Sequence, residues 1–195
     1  MSNIDLSTHY LGMTLKNPIV PSASPLSRDI DNIKRMEDAG ASAVVMYSLF
    51  EEQITHEMME LYHHTSYHSD THPEAQSYFP EHSQYTMGPD EYLAHLHKIK
   101  EQVNIPVIGS LNGCTDGGWT KYAKLIEEAG ADALELNVYM LATDFDTSSE
   151  DIENVYVETL RSVKANVGIP VAMKISPYIS AMANFAKRLD REGVD

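Results

Sequence analysis

The chain has 195 residues, 43% of them hydrophobic, which suits one substantial core better than two small ones. Asp and Glu number 29 against 14 Lys and Arg, and the resulting formal charge of -15, with no local basic patch, argues against a nucleic-acid partner. Cys114 is the single cysteine, so an intrachain disulfide and a thiolate metal cluster are excluded; no apolar run approaches a membrane span and the first ten residues are too polar for a signal peptide, so a cytoplasmic protein is expected.

In chain order, residues 6–15 read as a two-stranded ribbon turning at Gly12. Residues 19–24 follow Asn17-Pro18 as a short apolar run ending in small and polar residues, the pattern of a buried parallel strand. Ile30, Ile33 and Met36 then mark a helix stopped at Gly40, and residues 42–48 read as a second strand. Residues 51–87 are polar and low in periodicity, and are expected to be an insertion or lid. Tyr92, Leu93, Leu96, Ile99 and Val103 form a second helix behind Pro89, followed by a strand at 105–110. A helix through Tyr122, Leu125, Ile126 and Ala129 stops at Gly130, and a strand at 132–137 follows. A fourth helix runs from Ile152 to Val167, a fifth strand from 169 to 174, and a fifth helix from Met182 to Leu189 with Gly193 at its end.

Alternating strands and helices require right-handed crossovers and a parallel sheet, closed either as a (β/α)8 TIM barrel or left as an open doubly wound sheet. Ser24, Ser48, Asn112, Asn137 and Lys174 end strands with polar groups that can share one mouth, as a barrel rim requires. No Gly-x-Gly-x-x-Gly follows the first strand, which removes the usual phosphate turn of the dinucleotide-binding open sheet. An eightfold barrel takes about 250 residues. The last residues of the chain repeat the helix ends at 37–43 and 128–133 without a strand after them. The expectation is therefore an incomplete α/β barrel of five β/α units, residues 1–195 being the N-terminal portion of a single domain, with Leu11 and Leu15 of the ribbon plugging its floor.

Several rim residues carry candidate chemistry. Lys174 can place a positive charge beside an electron-rich ring, or simply extend its amine into solvent at a strand end. Asn137 offers donors and an acceptor to a ring with carbonyl and N–H groups, or forms a turn; Ser110 and Asn112 are weaker candidates, because Asn112-Gly113 is a turn signal. Alternation puts Glu135 on the face of Asn137 but deeper, where a carboxylate needs a partner, and Lys174 is the economical one. His56-Glu57-Met58-Met59-Glu60 lacks a second histidine, and His63, His64, His68, His72 and His82 lie in the polar stretch, so no metal is expected. Cys114, with no histidine near it in sequence, reads as an inert thiol.

Residues 15–24, 39–45, 129–137 and 171–178, in this order, resemble the class 1 dihydroorotate dehydrogenases and more closely their dihydroorotate dehydrogenase-like relatives. The resemblance implies a flavin-bearing TIM barrel that oxidises (S)-dihydroorotate to orotate in pyrimidine biosynthesis, with FMN as cofactor and a pyrimidine-like small molecule as substrate. It implies that Ala23 and Ser24 lie against the flavin, that Lys174 meets the N1 and O2 edge of the ring, and that Asn137 bonds in the flavin and pyrimidine pocket. Lys174 and Asn137 are the implied catalytic residues; Ser48 matches the serine of a Lys-Ser pair, and Asn112 is a looser match to a flavin-contacting asparagine.

Two positions depart from the pattern. Tyr47 stands where the family has lysine, and a phenol does not replace a permanent ammonium charge. Met140 takes the place of the base, and a thioether is no proton acceptor. The glycine-rich phosphate site that the resemblance puts after the seventh and eighth strands is not in this sequence, so the chain by itself is expected to hold FMN poorly. Three readings stay open: a dihydroorotate dehydrogenase-like oxidoreductase, a flavin-binding homologue without that activity, and a non-redox lyase or synthase using the Lys174 amine. A homodimer is also left open for the full-length form.

Overall fold

The computed structural model describes residues 4–56, 59, 89–113 and 115–195. The expectations for Cys114, for His63, His64, His68, His72 and His82, and for most of the 51–87 segment lie outside the described residues. The ribbon forms where it was read: β1 (Thr8–Tyr10) pairs antiparallel with β2 (Met13–Leu15). Its two-residue turn takes positive φ at Leu11 (50°) and Gly12 (68°), the pair of left-handed conformations of a type I′ hairpin. Such a backbone costs Leu11 on the order of 1 kcal/mol, which burial of the side chain to 2% exposure offsets.

A parallel sheet follows, made of β3 (Val44–Val45), β4 (Leu49–Phe50), β5 (Val107–Asn112), β6 (Ala133–Asn137) and β7 (Val171–Lys174). The order is β3–β5–β6–β7, with β4 also paired to β5. The helices are α1 (Ile30–Asp38), α2 (Asp90–Gln102), α3 (Asp116–Glu128), α4 (Ser149–Lys164) and α5 (Met182–Arg191). Their starts are encoded locally: Asp29 accepts from the Asp31 amide, Thr115 from the Gly118 amide, and Ser148 and Asp151 form a reciprocal capping box. Gly40 and Gly130, with φ of 104° and 95°, end α1 and α3 in the same left-handed conformation, which explains why the Ala-Gly-Ala segment recurs between helix and strand.

The two sheet faces differ in kind. Val44, Met46, Val107, Leu111, Leu134, Leu136 and Val171 share one core with the apolar stripes of α1 to α5, including Ile33, Leu96, Ile126, Leu160 and Phe185. Residues of the other parity, Val45, Ile108, Ala133 and Ala172, pack with Ala43 against Leu11 and Leu15 of the ribbon. A sequential strand order with α1 to α5 on one face is singly wound among the described residues, the arrangement a barrel needs; a doubly wound sheet would carry helices on both faces. Leu11 and Leu15 of the ribbon pack on the face opposite α1 to α5. Among the described residues no helix is long and apolar enough to cross a membrane.

Two expectations need correction. Residues 19–24 form no ladder strand, although the Ile19 and Pro21 carbonyls accept from the Ser42 and Val45 amides at 2.9 and 3.0 Å. The segment lies beside β3 but Pro18 and Pro21 have no amide to donate, so regular pairing fails. Within residues 42–48 only Val44–Val45 is strand, and a second short strand, Leu49–Phe50, follows after three residues outside the ladder. Val45 pairs with Ile108 and Leu49 with Leu111, so four residue steps oppose three and one extra residue bulges out between Met46 and Ser48. Residues 51–56 are helical, with Ile54 in the core and Glu51 6% exposed. The Glu51 carboxylate accepts from the amide and hydroxyl of Thr115 at the start of α3, at 3.0 and 2.5 Å.

Candidate active site at the strand ends

Parallel register carries the polar strand ends to one face. Ser110 lies opposite Glu135, and Asn137 opposite Lys174. The Ser48 and Ser110 hydroxyls are 2.8 Å apart, which brings β4's approach into the same band. Lys174 Nζ stands 3.5 Å from Glu135 Oε1, with the lysine side chain 53% and the glutamate 14% exposed. The pair read from alternation is therefore present. Glu135 Oε1 is buried and accepts no hydrogen bond, so its charge is met by the ammonium alone among the described residues. Tyr10 of the ribbon faces the same carboxylate: burial raises its phenol above the ordinary value, and the Glu135 charge adds to that.

The other predicted residues take distinct places. Ala23 packs in the inner-face cluster. Ser24 is extended, with φ -156° and ψ 160°, and starts a 3-10 turn at Pro25–Arg28. Asn112 closes β5 opposite Phe50, half-buried. Ser48, Asn137 and Lys174 thus share one band with Ser110 and Glu135. Ser24 is linked to that band through its neighbours and not through a side-chain contact in the structure.

The bulge explains where Tyr47 goes. Its ring meets Tyr92 of α2 edge to face, centroids 5.0 Å apart, and the Arg28 guanidinium lies 4.9 Å from its centre. It packs with the helix-side core, and lines a cleft of about 540 Å³ with Arg28, Ser48, Gln53, His95 and Lys98. Burial raises the Tyr47 phenol, Arg28 opposes and Glu91 adds. Met140 and Tyr139 are exposed on the loop after β6, 37% and 54% accessible.

Three residues that the sequence reading did not single out for the site hold this rim together. The Tyr92 hydroxyl accepts from the Ser110 amide at 3.1 Å and donates to its carbonyl at 3.4 Å, filling the ladder opposite the bulge. Burial pushes that phenol well above its ordinary value, the Ser110 bond opposing and Tyr47 adding. Ser27, 1% exposed, accepts from the Tyr47 amide at 2.7 Å, and its carbonyl accepts from His95 Nε2 at 2.8 Å. In the sequence Tyr92 belongs to an apolar helical stripe, and Ser27 lies in no pattern that marks it. Only Pro25, one position after Ser24, signalled that a turn begins at this rim.

A singly wound parallel α/β protein with a polar band at the carboxyl ends of its strands is the class these features define. The chain is 28% identical over 98% of its length to the NAD-dependent dihydropyrimidine dehydrogenase subunit PreA of Escherichia coli (strain K12), and covers 46% of it. It is 24% identical over its whole length to the catalytic subunit of dihydroorotate dehydrogenase B (NAD(+)) of Methanocaldococcus jannaschii, covering 62%, and 24% identical over 96% to that of Thermoplasma volcanium, covering 59%. The dihydroorotate dehydrogenase-like resemblance thus runs the length of the chain, which spans about half to three fifths of these curated relatives. No family model matches it. Among solved structures, a candidate dihydrodipicolinate synthetase from Pseudomonas aeruginosa aligns with TM-score 0.55 at 17% identity, over 91% of this chain and 52% of that one. Phosphonopyruvate hydrolase aligns with TM-score 0.52 at 14% identity, over 92% and 56%. At these identities the structural likeness speaks for the fold alone.

Proposed function

We propose that the chain is part of an FMN-dependent oxidoreductase of dihydroorotate dehydrogenase type, acting on a pyrimidine-like small molecule within a (β/α)8 barrel. The observation that carries this reading is the single band formed by Ser48, Ser110, Glu135, Asn137 and Lys174 on the inner face of the sheet, in a chain related throughout to dihydroorotate dehydrogenase-type and PreA oxidoreductases. Singly wound topology supports barrel closure.

The residues present suit a flavin. Lys174 has ammonium donors left over after Glu135 and is half exposed, so it can meet ring oxygens, while Glu135 Oε1 is a buried acceptor awaiting a donor. Ala23 and Ser24 would lie against the ring, with Ser48, Asn112 and Asn137 offering hydrogen bonds around it. When bound, FMN supplies a two-electron acceptor for a reduced ring. The chain's own part is to orient that ring and hold positive charge at its edge through Lys174.

The loss of a carboxyl, thiol or imidazole at Met140 supports a second reading, flavin binding without efficient dihydroorotate turnover. General-base assistance typically contributes about 10²- to 10⁴-fold, and a thioether supplies none of it. The two readings separate in one experiment on purified full-length protein. A visible flavin spectrum bleached by dihydroorotate supports the first, an unbleached flavin the second. Colourless protein that resists FMN reconstitution would sink both.

A further inference from the structure

We infer that Ser27 is a positioning residue for the rim, locking the 22–24 segment to the Tyr47–Ser48 bulge so that both present to the same bound ring; this rests on the flavin reading above. The Ser27 hydroxyl has one proton and spends it on the Ser24 carbonyl at 2.9 Å. Its lone pair accepts the Tyr47 amide at 2.7 Å. That amide needs such an acceptor, because ladder bonding from β3 reaches only the Met46 amide, which donates to the Ile108 carbonyl, before the bulge interrupts it. One buried hydroxyl therefore joins two segments 20 residues apart in sequence.

The same turn is held from outside by His95 of α2, which donates from Nε2 to the Ser27 carbonyl. On the far side of the bulge the Tyr92 hydroxyl bridges the Ser110 amide and carbonyl, and Ser110 in turn meets Ser48. The bulge is clasped from both flanks, by Ser27 against the 22–24 segment and by Tyr92 against β5. Ser27 touches no substrate or cofactor position itself; its part is to keep Ser24 and Ser48 at a constant separation.

FMN titration of full-length wild-type, Ser27→Ala, Ser27→Cys and Ser27→Thr protein tests this, reading the dissociation constant, the visible circular dichroism of the bound flavin, and the far-ultraviolet spectrum for the fold. Ser27→Ala is expected to weaken FMN binding about tenfold and alter the visible dichroism with the far-ultraviolet spectrum unchanged, while Ser27→Thr, which keeps the hydroxyl, recovers most of the affinity. Should Ser27→Ala fail to fold, Ser27→Cys decides, its weak acceptor giving a smaller loss in the same direction. Wild-type affinity and dichroism in the Ala variant, or in the Cys variant where Ala does not fold, overturns the positioning role alone. Wild-type protein that takes up no FMN overturns the flavin reading and the role together.

Discussion

Lys174 and Glu135 face each other across adjacent parallel strands, Nζ to Oε1 at 3.5 Å, one half exposed and the other nearly buried. The asymmetry sets the energetics. A fully buried pair costs about 3–5 kcal/mol to break, but a lysine open to solvent is screened, so Lys174→Met should cost about 1 kcal/mol of unfolding free energy. Glu135→Gln should be close to neutral. Urea titrations of both single variants and the double variant would give the coupling directly, and a value above about 3 kcal/mol would contradict this view of the pair. In the proposed flavoprotein Lys174→Met should also lower FMN affinity by more than about tenfold, since it removes the charge at the ring edge.

Tyr92→Phe keeps the edge-to-face contact with Tyr47 and deletes only the hydroxyl. Two buried backbone groups of Ser110 then lose their partner. A loss of about 1–3 kcal/mol is expected in chemical denaturation. An unchanged midpoint would mean that the hydroxyl is not what completes the ladder at the bulge.

Tyr156→Phe is the contrasting case. Tyr156 is fully buried against Phe185, and its hydroxyl has no hydrogen-bond partner among the described residues. Removing an unsatisfied buried hydroxyl relieves a desolvation cost, so the thermal midpoint should stay level or rise slightly. A clear fall in the midpoint would show that the hydroxyl is satisfied in solution.

The capping box of α4 predicts a pH effect. The Ser148 hydroxyl and then the Ser148 amide, donating to Asp151, hold its carboxyl below the ordinary aspartate value. A depressed folded-state value means that the cap's contribution is fully present above the unfolded value and is lost as pH falls through the folded one. Asp151→Asn should therefore flatten the acid limb of helix stability as pH falls below the ordinary aspartate range, followed by circular dichroism. The same slope in wild type and variant would count against the box as its source.

What could be read in advance follows from the range of the forces involved. Helix positions came from apolar spacing and stops such as Gly40 and Gly130, both decided within a few residues. The Glu135–Lys174 pair was legible because alternation along 132–137 sets the side of Glu135, and strand succession makes Lys174 its neighbour. The first strand was misread because its apolar run looked regular, while two prolines withheld the donors that a ladder needs. The burial of Ile54 and Glu51 is not legible in advance, because no window of periodicity reveals a single buried turn.

By itself, the sequence determined the alternation of strand and helix, the helix caps, the hairpin at Leu11–Gly12 and the polar character of the strand ends, because each depends on neighbours along the chain. Tertiary structure decided that the sheet is singly wound, that one residue bulges between β3 and β4, and that Tyr47 turns to α2 while Ser48 turns to Ser110. Those outcomes rest on contacts such as Ser27 to Tyr47, 20 residues apart, and Ser48 to Ser110, 62 apart. Such contacts form only once the strands pair and the interior excludes water, and no local pattern encodes them.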